Sequence, residues 1–200
     1  MGVGKMRTAK IERKTGETEI FVELNLDGTG KREINTGIGF FDHMLDLFAK
    51  HGLFDLTVKC KGDLQIDSHH TIEDTGIVLG QAFAKAIGDK KGIKRYGQRM
   101  LPMDEVLCLC AVDFCGRPYF VMDAKFETEQ INGFATECVE DFFYAFTMNS
   151  AINLQLKLFG GRNDHHKIEG VFKAFARAMR EACEMDERSK GEIPSTKGVL

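Results

Sequence analysis

One five-residue pattern occurs twice. His69-His70-Thr71-Ile72-Glu73 and His165-His166-Lys167-Ile168-Glu169 share H-H-x-I-E at an offset of 165 − 69 = 96 residues. The same offset pairs Ala82 with Ala178 and Ala86 with Ala182. Nearly half of the 200-residue chain separates the copies, the spacing expected of a duplicated β/α unit. The duplication predicts an α/β fold (an α+β sandwich) of two pseudo-repeated halves, each a mixed sheet backed by helices, forming one compact subunit. The expected boundaries are 7–95 for the first half, 96–186 for the second and 187–200 for a C-terminal tail. Residues 1–5 (MGVGK) precede a second possible start at Met6; native or an expression remnant, they are left out of the fold reading.

Hydrophobic periodicity fills in the plan. Residues 17–27 (ETEIFVELNLD) alternate apolar and polar, which predicts a strand ending at the turn Asp27-Gly28. Residues 38–51 show helical spacing, with Gly52 expected to stop the helix, and strand-like 54–60 follows. A helix is expected over 69–87. In the second half, 105–114 and 119–126 read as strands around the turn Gly116-Arg117-Pro118, 139–151 as a helix and 152–159 as a strand. The stripe Ile168, Val171, Phe172, Phe175, Met179 and Ala182 predicts an amphipathic helix over 164–183.

Composition narrows the function. Lys plus Arg number 27 against 30 Asp plus Glu, a net charge of −3, which gives no electrostatic footing for general nucleic-acid binding. No apolar run is long enough to span a membrane, and the first twenty residues lack a signal-peptide core, so a cytoplasmic chain is expected. The six cysteines include no C-x-x-C pair; Cys108 and Cys110 alternate like inward strand residues, and all six read as reduced thiols.

The chemistry lies in the histidines. Four of the six stand in the two adjacent pairs, each at an expected helix start with its Glu one turn on. Adjacent imidazoles point in different directions, so each pair offers one ring to a site beside its Glu and another ring elsewhere. Imidazole with carboxylate suits Mn²⁺, Fe²⁺, Zn²⁺ or Co²⁺. One H-H-x-x-E reads equally well as a polar helix start; two copies in register favour a metal site. His43, in FFDHML, is the further candidate ligand, although a lone helix histidine is more often structural. Arg95, Arg117 and Lys173, with Ser195, Thr196 and Lys197 of PSTKGVL, form a candidate phosphate-binding set, each also readable as a solvated surface residue.

Several strings then occur together in order: GIGFFDHML (37–45), DSHHTIED (67–74), GDKKGIKRYG (88–97), PMDE (102–105), GRP (116–118), GRNDHHKIE (161–169), FKAF (172–175) and PSTKGVL (194–200). In combination they resemble the imidazoleglycerol-phosphate dehydratase family, the lyases of histidine biosynthesis, from about Arg7 to Leu200. The resemblance implies a homo-oligomeric shell of 24 subunits built from trimers, with two Mn²⁺ ions per active site held between subunits. It assigns one ion to His43, His70, Glu73 and His166. The other takes His69, His165 and Glu169, plus a family histidine on the strand before GRN. At that position this chain has Gln155, a poorer Mn²⁺ ligand, which puts the activity of this chain in doubt.

The resemblance further implies Glu17 as the acid–base group, with Glu19 ranked second as a same-face neighbour, and His51 near the site. It places Arg95, Arg117, Lys173, Ser195 and Lys197 on the substrate phosphate. The implied reaction removes water from imidazole glycerol phosphate to give imidazole acetol phosphate, by way of a metal-bound imidazolate and a diazafulvene-like intermediate. Two rivals stand beside it: a dinuclear metallohydrolase, in which the same ligands activate water, and an inactive assembly in which metal staples subunits together. No membrane partner is expected.

Overall fold

The computed structural model describes residues 6–189 and 191–200. The first half runs β1 (Thr8–Lys14), β2 (Thr18–Asn25), β3 (Arg32–Asn35), α1 (Gly39–Gly52), β4 (Asp55–Gly62) and α2 (His69–Ile87). The second runs β5 (Tyr96–Met103), β6 (Val106–Asp113), β7 (Tyr119–Asp123), a small hairpin of β8 (Gln130–Ile131) and β9 (Phe134–Ala135), α3 (Cys138–Ser150), β10 (Asn153–Gly160) and α4 (Asp164–Cys183). The strand orders are β1-β2-β4-β3 and β5-β6-β10-β7, so the two sheets share one topology. In each, three strands are antiparallel, and the last joins in parallel through a helical crossover: β3–α1–β4 and β7–α3–β10. This is the expected pseudo-repeated α/β architecture.

Four layers result, sheet, helix pair, helix pair, sheet. α2 packs on the first sheet and α4 on the second, while α2 faces α3 and α1 faces α4 across the middle. The seam between the helix layers is largely phenylalanine. Phe48 stacks on Phe175 at 5.1 Å, while Phe41 meets Phe142 edge-on at 5.4 Å and Phe83 meets Phe146 edge-on at 5.3 Å. Aromatic pairs at these separations add about 0.5–1.5 kcal/mol each beyond their buried area. α2 and α3 approach closely because α2 carries Gly76 and Gly80 where they meet; a Cβ at Gly80 would lie 2.6 Å from the Phe146 carbonyl oxygen.

The offset between halves is not constant. β1 and β2 map onto β5 and β6 at 96 − 8 = 88 and 106 − 18 = 88, whereas β4 maps onto β10 at 153 − 55 = 98. The β8–β9 hairpin accounts for the drift: 15 positions separate Asp123 from Cys138, against 4 between Asn35 and Gly39. Phe134 of that hairpin is fully buried against Phe40 and Phe41.

One expectation is corrected. Gly52 does not supply the helix stop: it is the last residue of α1, and Leu53, at φ 56°, takes the left-handed cap position. Gly52 is needed because a Cβ there would lie 2.4 Å from the Phe54 ring. Strands β1, β3 and β5 were not visible in the alternation. The cysteines are free thiols, five buried and Cys60 half-buried. Among the described residues no helix is long and apolar enough to cross a membrane.

Candidate metal centre

Both histidine pairs open a helix, and both are fixed there by the same device. The Asp67 carboxylate accepts the His69 N–H at 2.8 Å; the Asn163 side-chain oxygen accepts the His165 N–H at 2.9 Å. The two acceptors differ by 163 − 67 = 96, so the cap is duplicated along with the histidines. It occupies backbone N–H groups that the first helical turn leaves without partners. Helical pitch then brings Glu73 beneath His69 and Glu169 beneath His165.

The first cluster comprises His43, His165 and Glu169. Glu169 Oε2 lies 3.2 Å from His165 Nε2 and 3.4 Å from His43 Nε2, and one donor atom from each residue falls within a 4.8 Å group. α1 delivers His43 because it packs against α4. Glu169 is buried, with its other oxygen accepting from Lys173 Nζ at 2.5 Å. Burial pushes the Glu169 carboxyl up, but Lys173 and His43 outweigh it and hold it below the usual carboxylate range. Phe40 meets the His165 ring edge-on at 5.0 Å, limiting how the imidazole can turn.

The second cluster is its pseudo-equivalent with altered chemistry. Leu53 and Ala151 both hold the left-handed cap, fixing the α1-to-α3 offset at 151 − 53 = 98. Position 43 therefore maps to Asp141 and position 40 to Cys138. His69 Nε2 lies 3.6 Å from Glu73, while its Nδ1 lies 3.4 Å from Asp141 and 3.9 Å from the Cys138 thiol. Burial pushes that thiol up to about 11. Asp141 and Cys138 were not singled out in the sequence; the 98-residue offset finds them, and the 96-residue offset of the histidines does not.

His70 and His166 turn away from these clusters. His70 Nδ1 lies 3.0 Å from Asp63 and its Nε2 3.6 Å from Glu17. His166 Nδ1 lies 2.9 Å from Glu105. Asp63 raises His70 above the ordinary imidazole value, and Glu105 does the same for His166. Glu105 itself falls to about 2, held by His166 and by the backbone N–H groups of Asn163 and Arg162. Glu17 and Glu105 are equivalent positions, 105 − 17 = 88, the offset that relates β2 to β6. One is locked to the α4 start; the other is exposed.

These clusters sit in a chain with close relatives. The sequence model of the imidazoleglycerol-phosphate dehydratase family matches residues 36–179. The imidazoleglycerol-phosphate dehydratase of Acetivibrio thermocellus is 56% identical over 194 residues, covering 97% of this chain and 99% of the relative. That of Caldanaerobacter subterraneus is 57% identical over 195 residues, covering 98% and 100%. The chain belongs to the imidazoleglycerol-phosphate dehydratase family. The solved dehydratase of Staphylococcus aureus superposes with a TM-score of 0.82 at 38% identity, over 90% of this chain and 99% of that one. The Pyrococcus furiosus enzyme gives 0.81 at 34% identity, over 95% and 100%. Membership makes the chain a carbon–oxygen hydro-lyase.

Against the residues expected of a dehydratase, one chain brings some together and holds others apart. His43 joins His165 and Glu169, not the group of His70, Glu73 and His166 to which the resemblance assigns it. Gln155 lies on β10 between inward-facing Leu154 and Leu156, on the sheet face away from the helices, and its amide donates to Asn153 Oδ1 at 2.9 Å. Glu19 is on the outer face of the first sheet, bound to Lys14 at 2.7 Å, and Lys14 lowers its carboxyl. Glu17 precedes β2 in a bend, so strand alternation does not put the two on one face.

The basic set divides likewise. Arg95 forms a two-bond fork with Asp113 and donates to the Pro194 carbonyl at 2.9 Å, which places it beside Ser195. Leu200 lies against Gly116, next to Arg117, and the Lys197 N–H donates to Ser195 Oγ. Lys173 instead contacts Met103, at the far end of β5 from Arg95, roughly 23 Å along the strand. His51, at the end of α1, has its ring pushed down by burial and by the charges of Lys173 and Arg177.

Proposed function

We propose that this chain catalyses loss of water from imidazole glycerol phosphate, using two divalent manganese ions per active site within a 24-subunit cytoplasmic assembly. The observation that carries the metal reading is the first cluster: two imidazole nitrogens and a buried carboxylate converge within 4.8 Å. A carboxylate with two neutral imidazoles is a donor set that a first-row divalent cation fits. His43, His165 and Glu169 would hold one ion. His69 Nε2 and Glu73 would hold the other, with Asp141 accepting from Nδ1–H and so fixing the tautomer that leaves Nε2 free to ligate.

His70 and His166 complete these sets across a subunit boundary, where their half-exposed rings reach out from the chain that carries them. The separation of Lys173 from Arg95, Arg117, Ser195 and Lys197 argues the same way. No single chain gathers the whole phosphate set, so two subunits share it. Bound there, divalent manganese supplies Lewis acidity toward an imidazole ring of the substrate.

The chain's own residues do the rest. Arg95, held flat by the Asp113 fork, and the Ser195–Lys197 tail grip the phosphate and orient the reacting end through binding remote from it. Glu17 is free of the backbone clamp that fixes Glu105, and it takes the proton from the carbon beside the ring-bearing carbinol. The hydroxyl takes a proton back from Glu17 and leaves as water, and the resulting enol tautomerises to the ketone. Gln155 stands where the family carries a ligating histidine, so Gln155→His is expected to raise Mn²⁺ affinity and turnover.

The test is product mass from imidazole glycerol phosphate with metal-stripped protein, with and without Mn²⁺. Mn²⁺-dependent loss of one water is expected. No water loss at saturating Mn²⁺, in the parent and in Gln155→His alike, would overturn the reading.

A further inference from the structure

The two clusters are related by the duplication, yet one contains sulfur. In the first, the place beside the histidine is taken by Phe40, whose ring edge packs on His165. In the second, the same place is taken by Cys138, buried at the start of α3 with its Sγ 3.9 Å from His69 Nδ1. Asp141, one turn along α3, brings Oδ2 to 3.4 Å from the same nitrogen. One donor atom from each of His69, Cys138 and Asp141 falls within 4.8 Å of the others.

We infer that His69 Nδ1, Cys138 Sγ and Asp141 form a binding site for thiophilic divalent cations, Zn²⁺ and Cd²⁺ among them, separate from the Nε2 face of the same ring. The spacing fits. A tetrahedral ion with Zn–S of about 2.3 Å and Zn–N of about 2.0 Å sets the two ligand atoms about 3.5 Å apart. The Cys138 and Asp141 side chains need close by only a few tenths of an ångström. Thiolate selects Zn²⁺ over Mn²⁺, which prefers oxygen. Coordination replaces the Sγ–H bond with an Sγ–metal bond and releases one proton to solvent.

The choice of nitrogen has a consequence for the ring. An ion on Nδ1 requires Nε2 to carry the proton, and that N–H then donates to Glu73. An ion on Nε2 requires the opposite tautomer, with Nδ1–H on Asp141. The two occupancies exclude each other, so a thiophilic cation displaces whatever Nε2 holds. The inference rests on the His69–Cys138–Asp141 cluster and not on the dehydratase mechanism, so its test needs no substrate.

Metal-free protein is titrated with Co²⁺, whose thiolate charge-transfer absorption reports sulfur ligation. A saturable thiolate-to-Co²⁺ band is expected, absent from Cys138→Ser and retained in Cys60→Ala. Zn²⁺ binding in Cys138→Ser is expected to weaken by at least about tenfold, since even an outer hydrogen-bond partner of a ligand is worth 10–100-fold. Independently of any variant, zinc-edge X-ray absorption of the unmodified chain, at or below one Zn²⁺ per chain, is expected to show a sulfur shell at about 2.3 Å. A shell of nitrogen and oxygen alone, or a Co²⁺ band that survives Cys138→Ser, overturns the inference.

Discussion

Replacing Asp164 with alanine tests how the α4 start is held. Asp164 is the first residue of the helix that carries His165 and His166, and it is buried. One oxygen accepts from Lys167 Nζ at 2.7 Å; the other accepts the N–H groups of Glu127 and Thr128 at 2.7 and 2.6 Å. Lys167 is equally buried, and its other acceptor among the described residues is the Lys125 carbonyl at 3.1 Å. The truncation therefore strands an ammonium and two backbone donors. Breaking a buried pair from one side costs about 3–5 kcal/mol. At roughly 2–4 °C per kcal/mol for a chain of this size, the melting temperature falls by about 6–20 °C. Scanning calorimetry at fixed protein concentration and pH 7 measures it. The double variant Asp164→Ala/Lys167→Met removes the stranded charge and keeps the orphaned N–H groups, so it melts above the single variant and below the parent. A single variant within about 2 °C of the parent, or a double variant no better than the single, would refute the reasoning.

Three further outcomes follow from named contacts. Lys167 and the two N–H donors hold the Asp164 carboxyl below its ordinary value, although burial alone would raise it. A depressed carboxyl stabilises the fold above its unfolded pKa of about 3.9 and loses that contribution as pH falls through the folded value. The gap in urea midpoint between parent and Asp164→Asn should accordingly narrow from pH 5 towards pH 3; a constant gap contradicts the linkage. Gly80→Ala sets a Cβ 2.6 Å from the Phe146 oxygen and 2.9 Å from the Asn149 Cβ. It should cost about 1–3 kcal/mol by pushing α2 off α3, seen as a lower denaturant midpoint. Glu17→Gln should lower turnover by about 10²-fold or more with Mn²⁺ binding unchanged; full turnover at saturating Mn²⁺ removes Glu17 from the acid–base role.

The helices were legible because their apolar spacing is enforced by two partners at once. α2 and α4 have the residue bounds that periodicity predicts, 69–87 and 164–183, since each is wedged between a sheet and a facing helix. Strands β1 and β5 were illegible for the opposite reason. They are edge strands with few inward positions fully buried: Ala9 in one and Gly97 in the other. An edge strand needs apolar side chains on only part of one face, so little alternation is written into it. The repeat was also only half visible, because the β8–β9 insertion shifts the offset from 88 to 98 and disguises the strands that precede it.

The site shows the same division between what repeats in sequence and what repeats in space. The histidine pairs and their glutamates stand out because one helical turn contains the whole motif, so the duplication preserved it as a string. Their neighbours come from other elements, α1 and α3, at a different offset, and there each half changed independently. His43 in one cluster stands where Asp141 stands in the other, and Phe40 where Cys138 stands. Glu17 and Glu105 are related at yet a third offset, and only the fold shows that one is clamped by the Arg162 and Asn163 N–H groups while the other is exposed. A pattern search at fixed spacing finds the common ancestor of the two sites. What distinguishes them, an imidazole against a carboxylate and a phenyl ring against a thiol, lies in the positions where fixed spacing fails, and that difference decides which cation each half can hold.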